Sequence, residues 1–526
     1  MPPGPQRQSY RLPRRGFGWH GIHERAGLTD EVYSAGYLFS LKNYHLVGRG
    51  RVLKRKGSTR LIPLNVVDAK PVQQLAVFES GTINKLIALC NGKIYYFNTS
   101  EWVELTGSLT FADGATSRMR VAQFIEGTTD YIVGTAPGNN RLWKWTGTGN
   151  ATTLTDAITT GPQYAKDIAT FQGRLWALNT SNGKTILEWS DEGVATEWAS
   201  GQYMHCSRET QGVALANHGK STLLVFHEKS IHRINYDYSS TEPWVQQPIT
   251  ETMGTIAAGS VVHSKGVTYF ATPEGIYRIK SPNSPPEYIS YPIEETWGNL
   301  NRLRMEYLEG FERGEPWNEV VWLATSSASS YHDTALVWNT ELEDWSVFSS
   351  PYANFRYNCG ISYTNSDKKE VTLLGDYTGG VWVAWGDDNY DTGNLDGGTS
   401  GSVVDSEMQT GMLDFGYDGI KRLKEIWVDA VIPTTKNFTL EVIGLGEGTI
   451  IQSTGAVGTT GGRLSIDFIL DQSRLAYSST PTQARLKALA RSRMFQFKLT
   501  EQDNSDPHQI NSITAWWLPR GRRFNT

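Results

Sequence analysis

The chain has very little cysteine: Cys90, Cys206 and Cys359 are the only three in 526 residues, far apart and each in or beside an apolar run. That excludes a disulfide framework, and no Cys or His spacing matches a zinc site. Long apolar runs are also missing. No stretch approaches the ~20 apolar residues of a membrane-spanning helix, and the basic, Pro-rich opening MPPGPQRQSYRLPRRG leads into no apolar signal-peptide core. A soluble protein synthesised in a host cytoplasm is expected. Sustained helical periodicity is lacking too, because the apolar runs are short and are broken by Gly, Asn, Asp, Ser or Pro. A large charge excess is absent, and a formal net charge of −5 excludes a protein whose whole surface coats nucleic acid.

Catalytic signatures are equally scarce. No H-E-x-x-H, G-x-S-x-G or Walker loop occurs, and His20 and His23 read as ordinary surface or core residues. The Asp-rich turn 387–391 lacks an EF-hand pattern, so no metal and no cofactor is expected. Residues 190–198 resemble the Asp-box turn of sialidase-type propellers, but the spacing is wrong. A glycosidase needs two carboxylates roughly 5 to 9.5 Å apart beside a sugar-sized cleft. Asp191, Glu192, Asp376 and Asp387 could supply them, yet nothing singles out a pair. The expectation is a chain that is not an enzyme.

What the sequence does hold is glycine, 52 residues of it, spread between short aromatic and β-branched runs as turn residues. The clearest unit is 85–90 (KLIALC), Asn91-Gly92, then 93–97 (KIYYF), where Asn-Gly supplies the positive φ angles of a type I′ hairpin. Similar units occupy 130–145, 168–189, 222–234, 267–279, 319–338 and 371–384. Their mean period of roughly 45 residues fits the four-stranded blade of a β-propeller, with six or seven blades. Trp143, Trp145, Trp176 and Trp189 fall at blade-like positions, which favours core packing over sugar stacking. After Trp385 a polar, Gly/Asp-rich stretch reads as a boundary. Beyond it, 424–431, 438–443, 494–499 and 513–517 alternate with period two, as in a half-buried antiparallel sandwich. Residues 484–493 fit either a short helix or a basic loop. The fold class is therefore all-β, a propeller with an additional antiparallel β-sandwich-like domain. The expected layout is a basic N-terminal docking segment 1–65, a propeller 66–400 and a sandwich-like assembly domain 401–526.

The charge that is present is unevenly placed. Arg7, Arg11, Arg14, Arg15, Arg25, Lys42, Arg49, Arg51, Lys54, Arg55, Lys56 and Arg60 face only Glu24, Asp30 and Glu31, and Arg520, Arg522 and Arg523 close the chain. One reading is a solvated tail. The sharper one is an arm that docks on an acidic neighbour or on nucleic acid. Its candidate interaction residues are Arg11, Arg14, Arg15, Arg51, Lys54, Arg55, Lys56, Arg520, Arg522 and Arg523.

Residues 170–176 (TFQGRLW), followed by 188–191 (EWSD) and 196–198 (TEW), are similar to a blade pattern of one known family. So are 259–262 (GSVV) with 273–277 (PEGIY), the turn 374–380 (LGDYTGG), and 415–428 with its Lys421-Arg422-Leu423 entry into a strand. The chain resembles the hub or nozzle (stabilisation) proteins of short-tailed bacteriophage tails. The resemblance implies a structural virion protein, a ring homo-oligomer (a homohexamer) below the tail adaptor ring, with tail fibres or spikes as neighbours. Genomic DNA would pass through its channel without sequence-specific binding. The basic first sixty residues do not map onto that family. The alternative is a tail-tip receptor- or glycan-binding propeller, a polysaccharide depolymerase included.

Overall fold

A computed structural model describes residues 6–13, 19–24, 36–48, 51–62, 65–81, 83–138, 141–154, 161–237, 239, 243–349, 356–365, 369–386, 390–391, 402–431, 436–445, 448–457, 481–487, 489–502 and 507–519. Nearly all regular structure in them is β-strand, and no helix is long and apolar enough to cross a membrane.

Each recurrent unit is the middle of a four-stranded antiparallel sheet. The blades span 72–104, 120–153, 165–205, 212–250, 262–288, 309–349 and 357–383. The count is therefore seven. The first strand of every blade touches the first strands of both neighbours, and that of the seventh touches that of the first, which closes the ring around a central channel. The tight turns follow the sequence: Asn91 and Gly92 have φ of 53° and 68°, and Gln172 and Gly173 have 50° and 68°. Tryptophan fills the layers between blades. Trp176 packs on Trp189 at 4.9 Å, and Trp143, Trp145 and Trp176 are all fully buried.

The seventh blade supplies only three of its own strands. Its outer strand is Thr59–Arg60, antiparallel to Val381–Val383, with Arg60 opposite Trp382. Other N-terminal strands enter the second body. Gln8–Leu12 pairs with Gln509–Pro519, the hairpin of Tyr44–Val47 and Arg51–Lys54 joins that same strand, and Leu38–Lys42 lies between Asp344–Ser349 of blade 6 and Ser406–Thr410. The sheet of blade 6 thus runs on without a break into the second body. There it faces the sheet built on Lys421–Val431 and Gln509–Pro519, with Leu423, Ile426, Phe438, Leu440, Phe497, Ile513 and Trp517 between them.

Two expectations change here. The N-terminal segment is no separate docking arm: its apolar positions, Leu38, Leu41, Tyr44, Leu46 and Val52, are buried in the large core cluster. Strand pairing over several hundred residues leaves no local trace in composition, so only the charge was visible. Residues 484–493 form neither a helix nor one loop; they contribute to the strands Pro481–Lys487 and Arg491–Ser492, both paired with Lys421–Val431.

Candidate functional site

The seven first strands all start at the same end of the channel, and the loops that lead into them converge there. Segments of blades 2 and 3 and the connections into blades 5 and 6 line a cavity of about 490 Å³ there. Arg118 and Arg120 reach it from the connection into blade 2, Lys166 from the start of blade 3 and Lys184 from that blade's second turn. Glu306 and Glu309 come from the connection into blade 6, and Ala258 and Gly259 from the short 3₁₀ turn before blade 5. Four cations thus face two carboxylates. Among the described residues none of the six forms an ion pair with another.

Arg118 is fixed by its own backbone contacts: Nη1 donates to the Gln73 carbonyl at 2.7 Å and Nη2 lies 3.4 Å from the Tyr307 carbonyl. Behind it His332 is completely buried, with Nδ1 2.8 Å from Thr325 Oγ1; burial and the charges of Arg118 and Arg304 hold it well below the usual histidine range, hence neutral. Asp167, buried beside the mouth, accepts from the Leu215 N–H at 2.8 Å, and burial raises its pKa against the pull of Arg120.

Glu309 is the unusual group. It is 3% exposed, and Oε1 accepts from Gln74 Nε2 at 2.7 Å. Oε2 is buried and has no protein donor among the described residues. A Cβ on Gly259 would stand 2.2 Å from that oxygen and 2.7 Å from the Leu308 carbonyl, so only glycine lets the backbone come this close to the carboxylate. A buried carboxylate oxygen without a donor is costly and calls for a partner.

The opposite end of the channel is different. Glu79, Glu312, Glu370 and His263 line a second cavity of about 610 Å³ that also reaches Glu309. There the protein supplies donors itself: Ser264 Oγ to Glu312 at 2.7 Å and the Gly314 N–H to Glu370 at 2.5 Å. No group of three or more His, Cys, Asp or Glu suited to a metal occurs among the described residues.

The residues singled out from sequence lie elsewhere. Lys54 is 3% exposed and ion-paired with the buried Glu501, and Arg55 is 1% exposed with Nε donating to Asn43 Oδ1 at 2.7 Å, so both hold the fold together and neither is open to a partner. Arg11 and Arg51 are exposed on strands of the second body, and Lys56 is half-buried. Arg14, Arg15, Arg520, Arg522 and Arg523 lie outside the described residues, as does Asp387. Asp376 is a turn group, its oxygens taken by the N–H groups of Thr378 and Gly380 and by Trp382 Nε1 at 2.7 to 2.8 Å. The sequence reading missed the mouth entirely, since its six charged residues come from four separate connections and share no motif.

No family model matches the chain, and no curated protein matches it in sequence. Among solved structures it is similar to an ancestral GH74 enzyme, at 10% identity and a TM-score of 0.43 over 66% of this chain and 50% of that one. It is also similar to the WD40 propeller domain of Doa1, at 10% identity and 0.35 over 65% and 96%. A third is the exo-β-1,3-galactanase of Phanerochaete chrysosporium, at 9% and 0.27 over 82% and 100%. The chain spans about half the length of the GH74 enzyme. At these identities the likeness concerns fold alone. The expectation of a chain that is not an enzyme is nonetheless corrected: two of these three similar structures are glycoside hydrolases, and the exclusion of catalysis is withdrawn.

Proposed function

We propose that this chain is a ligand-binding propeller of a bacteriophage tail tip, with its receptor or glycan held at the mouth of the channel. The observation that supports this reading is the mouth itself: a concave site on the ring axis where unpaired cations and a buried carboxylate oxygen without a donor converge. Purified protein titrated with host-surface glycans should show quenching of tryptophan fluorescence. Release of reducing ends from the same glycans would add hydrolysis, with Glu306 and Glu309 as the carboxylates at hand. Glycans that leave fluorescence and reducing ends unchanged would overturn the reading.

A second reading, the hub or nozzle ring below the adaptor, is favoured by a different surface. Ile420, Leu445 and Leu489 are exposed at one end of the second body, where Lys421 pairs with Ser492 and the Leu445 N–H is held by the Met494 carbonyl. Exposed apolar side chains gathered on a rigid body suit a contact between subunits. Light scattering with negative-stain imaging, alone and with the adaptor, separates the two. A ring formed alone or on the adaptor supports the hub; a monomer that ignores the adaptor and binds glycan supports the tail-tip propeller.

A further inference from the structure

We infer that the ligand taken at the channel mouth is an acidic saccharide, a sugar whose carboxylate or phosphate meets Arg120, Lys166 and Lys184 while one of its hydroxyls donates to Glu309 Oε2. This rests on the glycan-binding reading and names the chemistry of the ligand. The cavity demands two things at once. Its lining carries two more cations than carboxylates, Lys166 and Lys184 are exposed, and Arg120 has no hydrogen bond or ion pair among the described residues, so an anion is favoured. Glu309 demands the opposite: its Oε2 is buried without a protein donor among the described residues, beside Gly259 in the cavity lining, and a carboxylate oxygen accepts hydrogen bonds without giving any.

The two requirements sit close together. The place a Cβ would take on Gly259 is 2.2 Å from Glu309 Oε2 and 3.1 Å from Arg120 Nη2, so acceptor and cation lie within the width of one sugar ring. A uronic acid or a sugar phosphate carries an anion and hydroxyl donors at that separation. A simple anion offers no donor to Glu309. The backbone of DNA has phosphates but no hydroxyl donor. The wall also offers a flat face: Tyr164, exposed there, can lie against a sugar ring.

The test is a titration of the full chain, followed by tryptophan fluorescence, with a short oligouronate, the same oligomer with its carboxylates reduced to alcohols, a hexose phosphate, inorganic phosphate and a single-stranded oligodeoxynucleotide. The oligouronate or the hexose phosphate should bind at least about tenfold more tightly than the reduced oligomer, the margin of one charge-assisted hydrogen bond. Lys166→Gln with Lys184→Gln, both exposed and outside the core, should bring the acidic ligand down to the affinity of the reduced one. Glu309→Gln should weaken acidic and reduced oligomers alike. Equal binding of acidic and reduced oligomers would overturn the inference and leave the glycan reading standing. Inorganic phosphate matching the hexose phosphate would reduce the site to an anion hole, and tighter binding of the oligodeoxynucleotide would make it a nucleic-acid site; either overturns the inference. If no saccharide binds, both the inference and the reading fall.

Discussion

The ring and the body beside it are built on different principles. Around six of the seven blade interfaces the buried apolar side chains form separate small clusters, one for each pair of neighbouring blades. At the remaining interface, between blades 5 and 6, the cluster merges with the core of the second body and takes in Leu38, Tyr44, Trp322, Trp345, Phe438 and Trp517 together. The first arrangement is modular, with each layer made from two neighbouring blades that follow one another in sequence, except where blade 7 meets blade 1. The second fuses segments hundreds of residues apart into one unit. A defect should stay local in the first and spread in the second.

Removing residues 1–62 is the strongest way to break that contrast. It deletes the outer strand of blade 7 and four strands of the second body, so limited proteolysis should then cut the region 402–519 rapidly. A second body that stays protected would mean that the N-terminal strands only decorate it.

A smaller break targets charge at the junction. Glu319, 1% exposed, accepts from Arg313 Nη1 at 2.7 Å and lies 2.7 Å from His45 Nδ1, with the His45 ring stacked on Trp317 at 4.0 Å. Glu319→Ala leaves a buried guanidinium uncompensated and should cost about 3–5 kcal/mol in denaturant unfolding. Its effect on hydrogen exchange should appear in blade 6 and the second body together.

Leu223, in the layer shared by blades 3 and 4, provides the modular counterpart. Leu223→Ala should cost about 2–4 kcal/mol, with the loss of exchange protection confined to those two blades. Loss of protection in the second body as well would erase the distinction.

Acid acts on both regions. Burial lowers the pKa of His45 at the junction and of His218, His227, His263 and His332 in the ring, and brings His232 to about 4. Below the ordinary histidine value of 6.5 the unfolded chain takes up protons that the native state refuses. Stability is therefore complete above that pH and falls as the pH drops toward 4, by about 1.4 kcal/mol per pH unit for each proton of difference. His232→Gln should flatten the slope by up to one such proton, measured from unfolding free energies between pH 7 and 4. Glu319, held below the usual carboxylate range, adds a loss in the same direction at lower pH. The smallest effect belongs to the exposed Lys93–Glu104 pair at 2.8 Å: Lys93→Ala should cost under about 1 kcal/mol.

The same contrast explains what could be read in advance. Hairpins such as 85–97 and 168–189 are visible because turn chemistry and strand pattern lie side by side in the chain, and all seven units fall on blades. Arg55 looked like a free surface cation because nothing near it in sequence shows that Asn43 turns, at a φ of 60°, to receive its guanidinium. The mouth was hidden for a related reason. Glu309 and Gln74 meet across the ring after 235 residues, and no periodicity reports a pairing of that length.

The strand Thr59–Arg60 carries one last consequence, for synthesis. The ribosome makes this strand early, but its seat at Val381–Val383 emerges only after about three hundred more residues. Until then the nascent ring is an open arc, and the face of blade 1 that will pack against blade 7 stays uncovered. The strand Thr59–Arg60 acts as a latch that cannot shut before the last blade exists, so its docking reports that all seven blades have been translated.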